Sequence, residues 1–171
     1  MPQSLPLPTL GFLQAAAAQN TEEHRHFKAY LQRLPTQQVD AMAAAINAQI
    51  EPAIDCLACG RCCQTLMINV EPADAQRLAR HLHMNTAAFN QQYLEQGHTF
   101  SFMNQVPCPF LNQKACTVYS CRPQGCRSFP QMDAPGFASR LFATFTHYAM
   151  CPIVYYVVEA LKQQSGFYEA E

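Results

Sequence analysis

Apolar residues recur at helical spacing near both ends of the chain and lose that rhythm in between. Phe27, Tyr30, Leu31 and Leu34 predict a helix that Thr21 caps and Pro35 stops, with Glu22 and Glu23 suited to its positive end. Val39, Met42, Ala43, Ile46 and Ile50 form one stripe of a second helix, from Thr36 to Glu51-Pro52. The two make a helical hairpin whose apolar faces need a partner, either the remainder of the chain or a second copy. Residues 1–20 read as a Pro-rich lead followed by an Ala-rich segment with room for a turn or two of helix.

Beyond the hairpin the pattern shortens. Residues 56–63 have no helical period and contain Gly60, which predicts a loop bent around a ligand. Leu66, Ile68 and Val70 alternate with their neighbours as in a half-buried strand. Pro72 sits at a first helical position ahead of Ala75, Leu78, Ala79 and Leu82. A further helix from Asn85 or Thr86 buries Phe89, Tyr93 and Leu94 before Gly97. Residues 106–130 mix prolines with cysteines and predict loops, and Leu141–Tyr148 alternates as a second strand would. Cys151-Pro152 opens a last helix with Ile153, Tyr156, Val157, Ala160 and Leu161 on its apolar face, ending near Ser165-Gly166. The expected fold is a helix-rich α+β domain, loop-rich and stapled by metal, with a few short strands. Residues 1–51 form an N-terminal helical extension and residues 52–171 the cysteine domain.

Composition narrows the function. A chain of 171 residues, 49% hydrophobic and 13% charged with a formal net charge of -1, can bury a core of its own. It carries no electrostatic footprint for nucleic acid or an anionic membrane, so neither partner is expected. No apolar run approaches the roughly 20 residues of a membrane span. Met1 to Gln14 has no Lys or Arg to form the charged start of a signal peptide, so a cytoplasmic location is expected.

In that compartment nine cysteines change the picture. Thiols there stay reduced unless they hold metal, and the odd count and the adjacent Cys62-Cys63 pair fit a disulfide framework poorly. Thiolate is a soft ligand suited to zinc or iron-sulfur. The run Cys56, Cys59, Cys62 is C-x-x-C-x-x-C, followed at a distance by Cys108-Pro109 and Cys151-Pro152, the arrangement by which bacterial ferredoxins hold an iron-sulfur cluster. A tetrahedral zinc site built from Cys56 and Cys59 with two of Cys108, Cys116, Cys121 and Cys126 is also feasible, with the spacing slightly favouring iron-sulfur. Adjacent side chains bind one metal poorly, so Cys62 and Cys63 are expected to point to different places. Eight cysteines then divide into two four-thiolate sites or one polynuclear site.

Arg61, Arg122 and Arg127 each lie within one residue of a cysteine, placed to offset thiolate charge and to donate hydrogen bonds to sulfur. His147, four residues before Cys151, reads as a packed core residue with a substitute ligand as the other option. His24, His26, His81 and His83 read as surface. Neither a phosphate loop, a methyl-donor fingerprint nor a Ser/His/Asp order is present.

The order C-x-x-C-x-x-C-C, then Glu71-Pro72-Ala73-Asp74 and Arg77-Leu78-Ala79, then Cys-Pro-Phe-Leu, Arg122-Pro123, Cys-Arg-x-Phe-Pro and a late Cys-Pro resembles the YkgJ-type cysteine-cluster family of zinc- or iron-chelating domains. The resemblance spans about residues 54 to 155. It implies eight metal ligands, which fall here on Cys56, Cys59, Cys62, Cys63, Cys108, Cys116, Cys126 and Cys151. Cys121 departs from the pattern. Flagellin lysine N-methylases share only the cysteine cluster with this chain.

The leading expectation is a metal-binding protein holding an iron-sulfur cluster or iron, with a redox, iron-handling or protein-modification accessory role and a protein partner. A zinc-stapled interaction module is the alternative. An enzyme using the cluster on a protein substrate comes third, and would need a pocket containing Tyr119, Arg122 or Arg127 beside the cysteines.

Overall fold

The computed structural model describes residues 4–169, so the first three residues of the Pro-rich lead and the last two of the chain lie outside the described residues. In chain order the helices and strands are α1 (Leu10–Gln19), α2 (Thr21–Leu31), α3 (Thr36–Ile50), α4 (Cys56–Cys59), α5 (Arg61–Thr65), β1 (Asn69–Val70), α6 (Pro72–His81), α7 (Thr86–Tyr93), β2 (Leu94–Gln96), β3 (Ser101–Met103), β4 (Leu111–Asn112), β5 (Ala115–Cys116), α8 (Gln124–Ser128), α9 (Leu141–Tyr148) and α10 (Pro152–Gln164). The fold is helix-rich α+β. It divides into two compact units, one of residues 1–55 with 130–171 and the other of residues 56–129.

The first unit buries the predicted hairpin. α3 lies along α10, and Val39, Ala43 and Ile46 meet a core that includes Val154, Val157 and Leu161, all buried. Each enclosed Val, Ile or Leu side chain contributes about 1.5–3 kcal/mol through the hydrophobic effect. Asp40 on α3 accepts the Gly136 and Phe137 amides at 2.9 and 2.8 Å, which fixes the turn ahead of α9.

Two features of this unit depart from the sequence reading. Residues 141–148 are a helix rather than a strand. The buried members are Leu141, Thr144 and Tyr148, one helical face, while Phe142 is 80% exposed. Alternating threonines and aromatics satisfy either period. Within the helix, Thr144 and Thr146 hydroxyls donate to the carbonyls of Arg140 and Phe142, so the threonines cost no unmet hydrogen bond.

The second departure is polar. His24 is buried, stacked on Phe145 and edge-on to Tyr148. Lys162 is 0% exposed, paired with Glu159 at 2.8 Å and Glu23 at 3.2 Å, and Glu159 also accepts the Tyr148 hydroxyl at 2.9 Å. Burial, with the Lys162 charge next, pulls His24 down to about 4, so it sits there neutral. His26, His81 and His83 are exposed as expected, and His147 is half-buried with its pKa lowered by burial.

The second unit is built on a small apolar core. Val70, Ala75, Leu78, Ala79, Phe89, Met103, Phe110 and Val118 form it, and Cys121 is part of it. Pro72 starts α6 and Asn85 caps α7 through the Ala88 amide at 2.8 Å, as their residue types dictate. A three-stranded antiparallel sheet of order β1-β3-β2 pairs Asn69 with Phe102 and Leu94 with Met103. The strand expected from Thr65 is paired only at Asn69–Val70, with the Ile68 carbonyl accepting the Met103 amide at 2.9 Å just before it.

Candidate metal centre

The cysteine run is not a loop. Cys56–Cys59 and Arg61–Thr65 are two short helices, and Gly60 joins them in the left-handed region at φ 60. That conformation favours glycine, and space demands it as well: a Cβ at position 60 would stand 2.4 Å from the Lys114 carbonyl oxygen. The cysteine-bearing turn is thereby pressed on the hairpin of β4 and β5, where Leu111 pairs with Cys116.

A second join brings in the remote Cys-Pro. The Cys108 amide donates to the Cys63 carbonyl at 2.8 Å. Cys108 and Cys116 both pack against the apolar core, which desolvates their thiols.

Cys62 and Cys63 do not point to different places. Their sulfurs are 3.9 Å apart. Side by side on the first turn of α5, neighbouring side chains are splayed by only about 100°, close enough for two long C–S bonds to meet. The hydrogen bond with Cys62 and burial push the Cys63 thiol far above the ordinary range. Burial also raises the Cys108 and Cys116 thiols, and drives Cys126 up to about 12. Cys63 raises the other three further through like charge, so these four thiols share one electrostatic environment. Arg122 works in the opposite direction on Cys63, Cys116 and Cys126.

The remaining site residues fall in distinct places. Cys56 is exposed and Cys59 half-buried, at the two ends of α4, which lies against β5. Cys121 is buried in the core and its Sγ donates to the Val118 carbonyl at 3.4 Å. Cys151 is buried in the first unit as the residue preceding α10, its amide donating to the His147 carbonyl at 2.8 Å. Arg61 is half-buried at the start of α5. Arg122 lays its guanidinium 3.8 Å over the Tyr119 ring. Arg127 donates to backbone, to the Arg122 carbonyl at 3.0 Å and the Ser120 carbonyl at 2.6 Å.

Residues 55–152 match the family model CxxCxxCC, described as "Putative zinc- or iron-chelating domain". The chain belongs to this family. The CxxCxxCC match covers more than half of the chain and runs beyond the second unit to take in Cys151. No solved structure matches the chain.

Sequence reasoning places Asp74 and Arg77 in the motif order of this CxxCxxCC domain but gives them no role at the site. Asp74 is buried on α6 and Arg77 stands one turn further on, and both bond to the backbone between Cys121 and Gln124. Their i, i+3 spacing beside a capping motif was the available signal, but it reveals nothing of the acceptors 44 to 50 residues away.

Proposed function

We propose that Cys56, Cys59, Cys62, Cys63, Cys108, Cys116, Cys126 and Cys151 supply the eight thiolates for an iron-sulfur cluster or iron, and that the protein serves in redox chemistry, iron handling or as an accessory to protein modification. The supporting observation is the shared environment of Cys63, Cys108, Cys116 and Cys126: four desolvated thiols, of which Cys63 raises the pKa of the other three, with the Arg122 charge acting on Cys63, Cys116 and Cys126. Such a donor set suits a thiophilic metal, which would replace the thiol protons and relieve the mutual repulsion. Among the described residues no three Cys, His, Asp or Glu side chains are already drawn together tightly enough to hold an ion. Ligation therefore needs rotation of side chains on a backbone that Gly60 and Cys108 have fastened.

When bound, an iron-sulfur cluster supplies one-electron chemistry. The chain's own residues would hold it: the cysteines as ligands, and Arg122 as countercharge beside them. Arg61 and Arg127 take the same supporting role in this proposal, Arg127 through the loop it braces. Anaerobically purified protein is expected to be brown and to bleach with dithionite. Colourless protein carrying stoichiometric zinc would reject the iron reading.

One distance favours the zinc alternative. A Zn–S bond of about 2.3 Å gives a tetrahedral site thiolate edges of about 3.8 Å, close to the 3.9 Å between Cys62 and Cys63. In that reading the metal supplies folding energy to a loop-rich unit with a small core, and chelation unfolds it without a redox signal. The enzymatic reading gains no support from Tyr119, Arg122 and Arg127, which are engaged with one another and with the loop backbone.

A protein partner and a cytoplasmic location belong to the same proposal. Leu57, Met67, Val106 and Tyr119, all in the cysteine unit, are exposed apolar side chains of the kind a protein partner covers. No single helix among the described residues is long and apolar enough to cross a membrane.

A further inference from the structure

Asp74 and Arg77 occupy one turn of α6, and between them they bond to three backbone groups of a four-residue stretch, 121–124, that neither adjoins in sequence. The Asp74 carboxylate, 3% exposed, accepts the Gln124 amide at 3.0 Å and the Arg77 guanidinium. It also accepts the Glu71 amide at 3.4 Å, which ties it to the start of its own helix. The Arg77 Nε donates to the Cys121 carbonyl at 3.2 Å and its Nη2 to the Arg122 carbonyl at 3.0 Å. The backbone ahead of Pro123 is thus held by a planar, multidentate cation, and the backbone after it by the buried carboxylate that orients that cation.

What this stretch carries gives the grip its meaning. It links β5, with Cys116, to α8, with Cys126, and it contains Arg122, whose charge acts on Cys63, Cys116 and Cys126. The Arg122 carbonyl accepts from both Arg77 and Arg127, so it is pinned from two sides. A side chain that only supported α6 would not need to reach three successive peptide groups of the ligand loop.

We propose that Asp74 and Arg77 are positioning residues for the metal centre: they lock residues 121–124 so that Cys116, Cys126 and the Arg122 guanidinium are presented to one metal. This rests on the metal-binding reading above. Lysine cannot substitute for Arg77, because a single ammonium cannot serve both carbonyls and the carboxylate in a fixed fork.

The test uses the full chain, freed of metal anaerobically and titrated with Zn²⁺ against a competing chelator, and separately with Co²⁺ followed by its thiolate charge-transfer absorption. Arg77→Ala and Asp74→Asn are each expected to lower Zn²⁺ affinity at least tenfold and to shift the Co²⁺ bands. Helical circular dichroism should stay within a tenth of wild type. Arg77→Lys should recover less than a third of the loss, and Arg80→Ala, an exposed arginine on the same helix, should bind as wild type does. The proposal is overturned if both variants match wild type in affinity and Co²⁺ spectrum, if Arg77→Lys restores both in full, or if metal is lost only in proportion to helical signal. Wild-type protein that takes up neither ion would instead reject the metal-binding reading itself.

Discussion

The amide of Cys108 donates to the carbonyl of Cys63 at 2.8 Å, which joins the adjacent cysteine pair to a Cys-Pro more than forty residues later. Backbone, not sulfur, makes this join, so the two halves of the cysteine pattern are brought together before any metal contributes. The cysteine unit is accordingly expected to keep its fold when one ligand is removed, and to lose metal.

That separates ligands from bystanders. Cys59→Ser and Cys126→Ser are each expected to cut bound metal to less than half of wild type, measured by elemental analysis of purified protein. Cys121→Ser should leave metal content within a fifth of wild type. Its Sγ sits in the apolar core and already bonds the Val118 carbonyl, which a serine hydroxyl can also do. Its cost should be in stability alone, on the order of 1 kcal/mol by denaturant melt. Equal metal loss in all three variants would remove the distinction.

Gly60→Ala should be among the most damaging single changes in the chain. The left-handed backbone costs an alanine about 1 kcal/mol or more. The Cβ also meets the Lys114 carbonyl oxygen at 2.4 Å, so the α4–α5 turn must lift from the β4–β5 hairpin. Both stability and metal content should fall, whereas Gly11→Ala, with nothing within 4 Å of the added carbon, should alter neither.

The metal-free protein should be sensitive to alkali. Cys63, Cys108, Cys116 and Cys126 favour the protonated thiol when folded, and Cys126 keeps its proton to about pH 12. An unfolded thiol ionises near 8.5. The unfolded state therefore binds fewer protons above that pH, and stability falls as pH rises from about 8.5 toward 12. Denaturant midpoints of metal-free protein across that window should decline, and metal loading should flatten the slope because bound thiolates have already lost their protons. A flat profile without metal would contradict the desolvation on which this depends.

Acid acts on the other unit. His24 is held neutral with its pKa at about 4, against an unfolded value near 6.5. The unfolded chain then binds the extra proton first, so this contribution is intact above about pH 6.5 and is lost as pH falls toward 4. The full loss is at most about 3 kcal/mol. His24→Phe keeps a ring against Phe145 and Tyr148, and its melting temperature should vary less between pH 7 and pH 4 than that of wild type.

Much of the framework was legible because its signals are local. Pro35 stops the helix before it, Pro72 and Pro152 each mark a helix start through a fixed φ, and the stripes of α3 and α10 name the faces that the first unit buries. The rest was hidden for physical reasons. At 141–148 alternating threonines and aromatics fit both periods, and only packing selects the helix. In the cysteine run, helices of four and five residues are too short to show a period. His24 and Lys162 look like surface residues until Phe145 and Tyr148 reach His24, and Glu23 reaches Lys162, from elsewhere in the chain. The cysteines could be recognised as a site from their spacing, but the hold of Asp74 and Arg77 on that site is wholly tertiary.

The account stands most directly on what the protein carries when it is purified without oxygen. Elemental analysis for iron, zinc and acid-labile sulfide, with an absorption spectrum of the same sample, is expected to find iron and sulfide in stoichiometric amounts and thiolate-to-iron bands in the visible. Zinc at one or more per chain, with no colour, would replace the iron-sulfur reading with the zinc-stapled one. Protein that is folded, colourless and free of both metals would contradict the central claim that these cysteines form a metal centre.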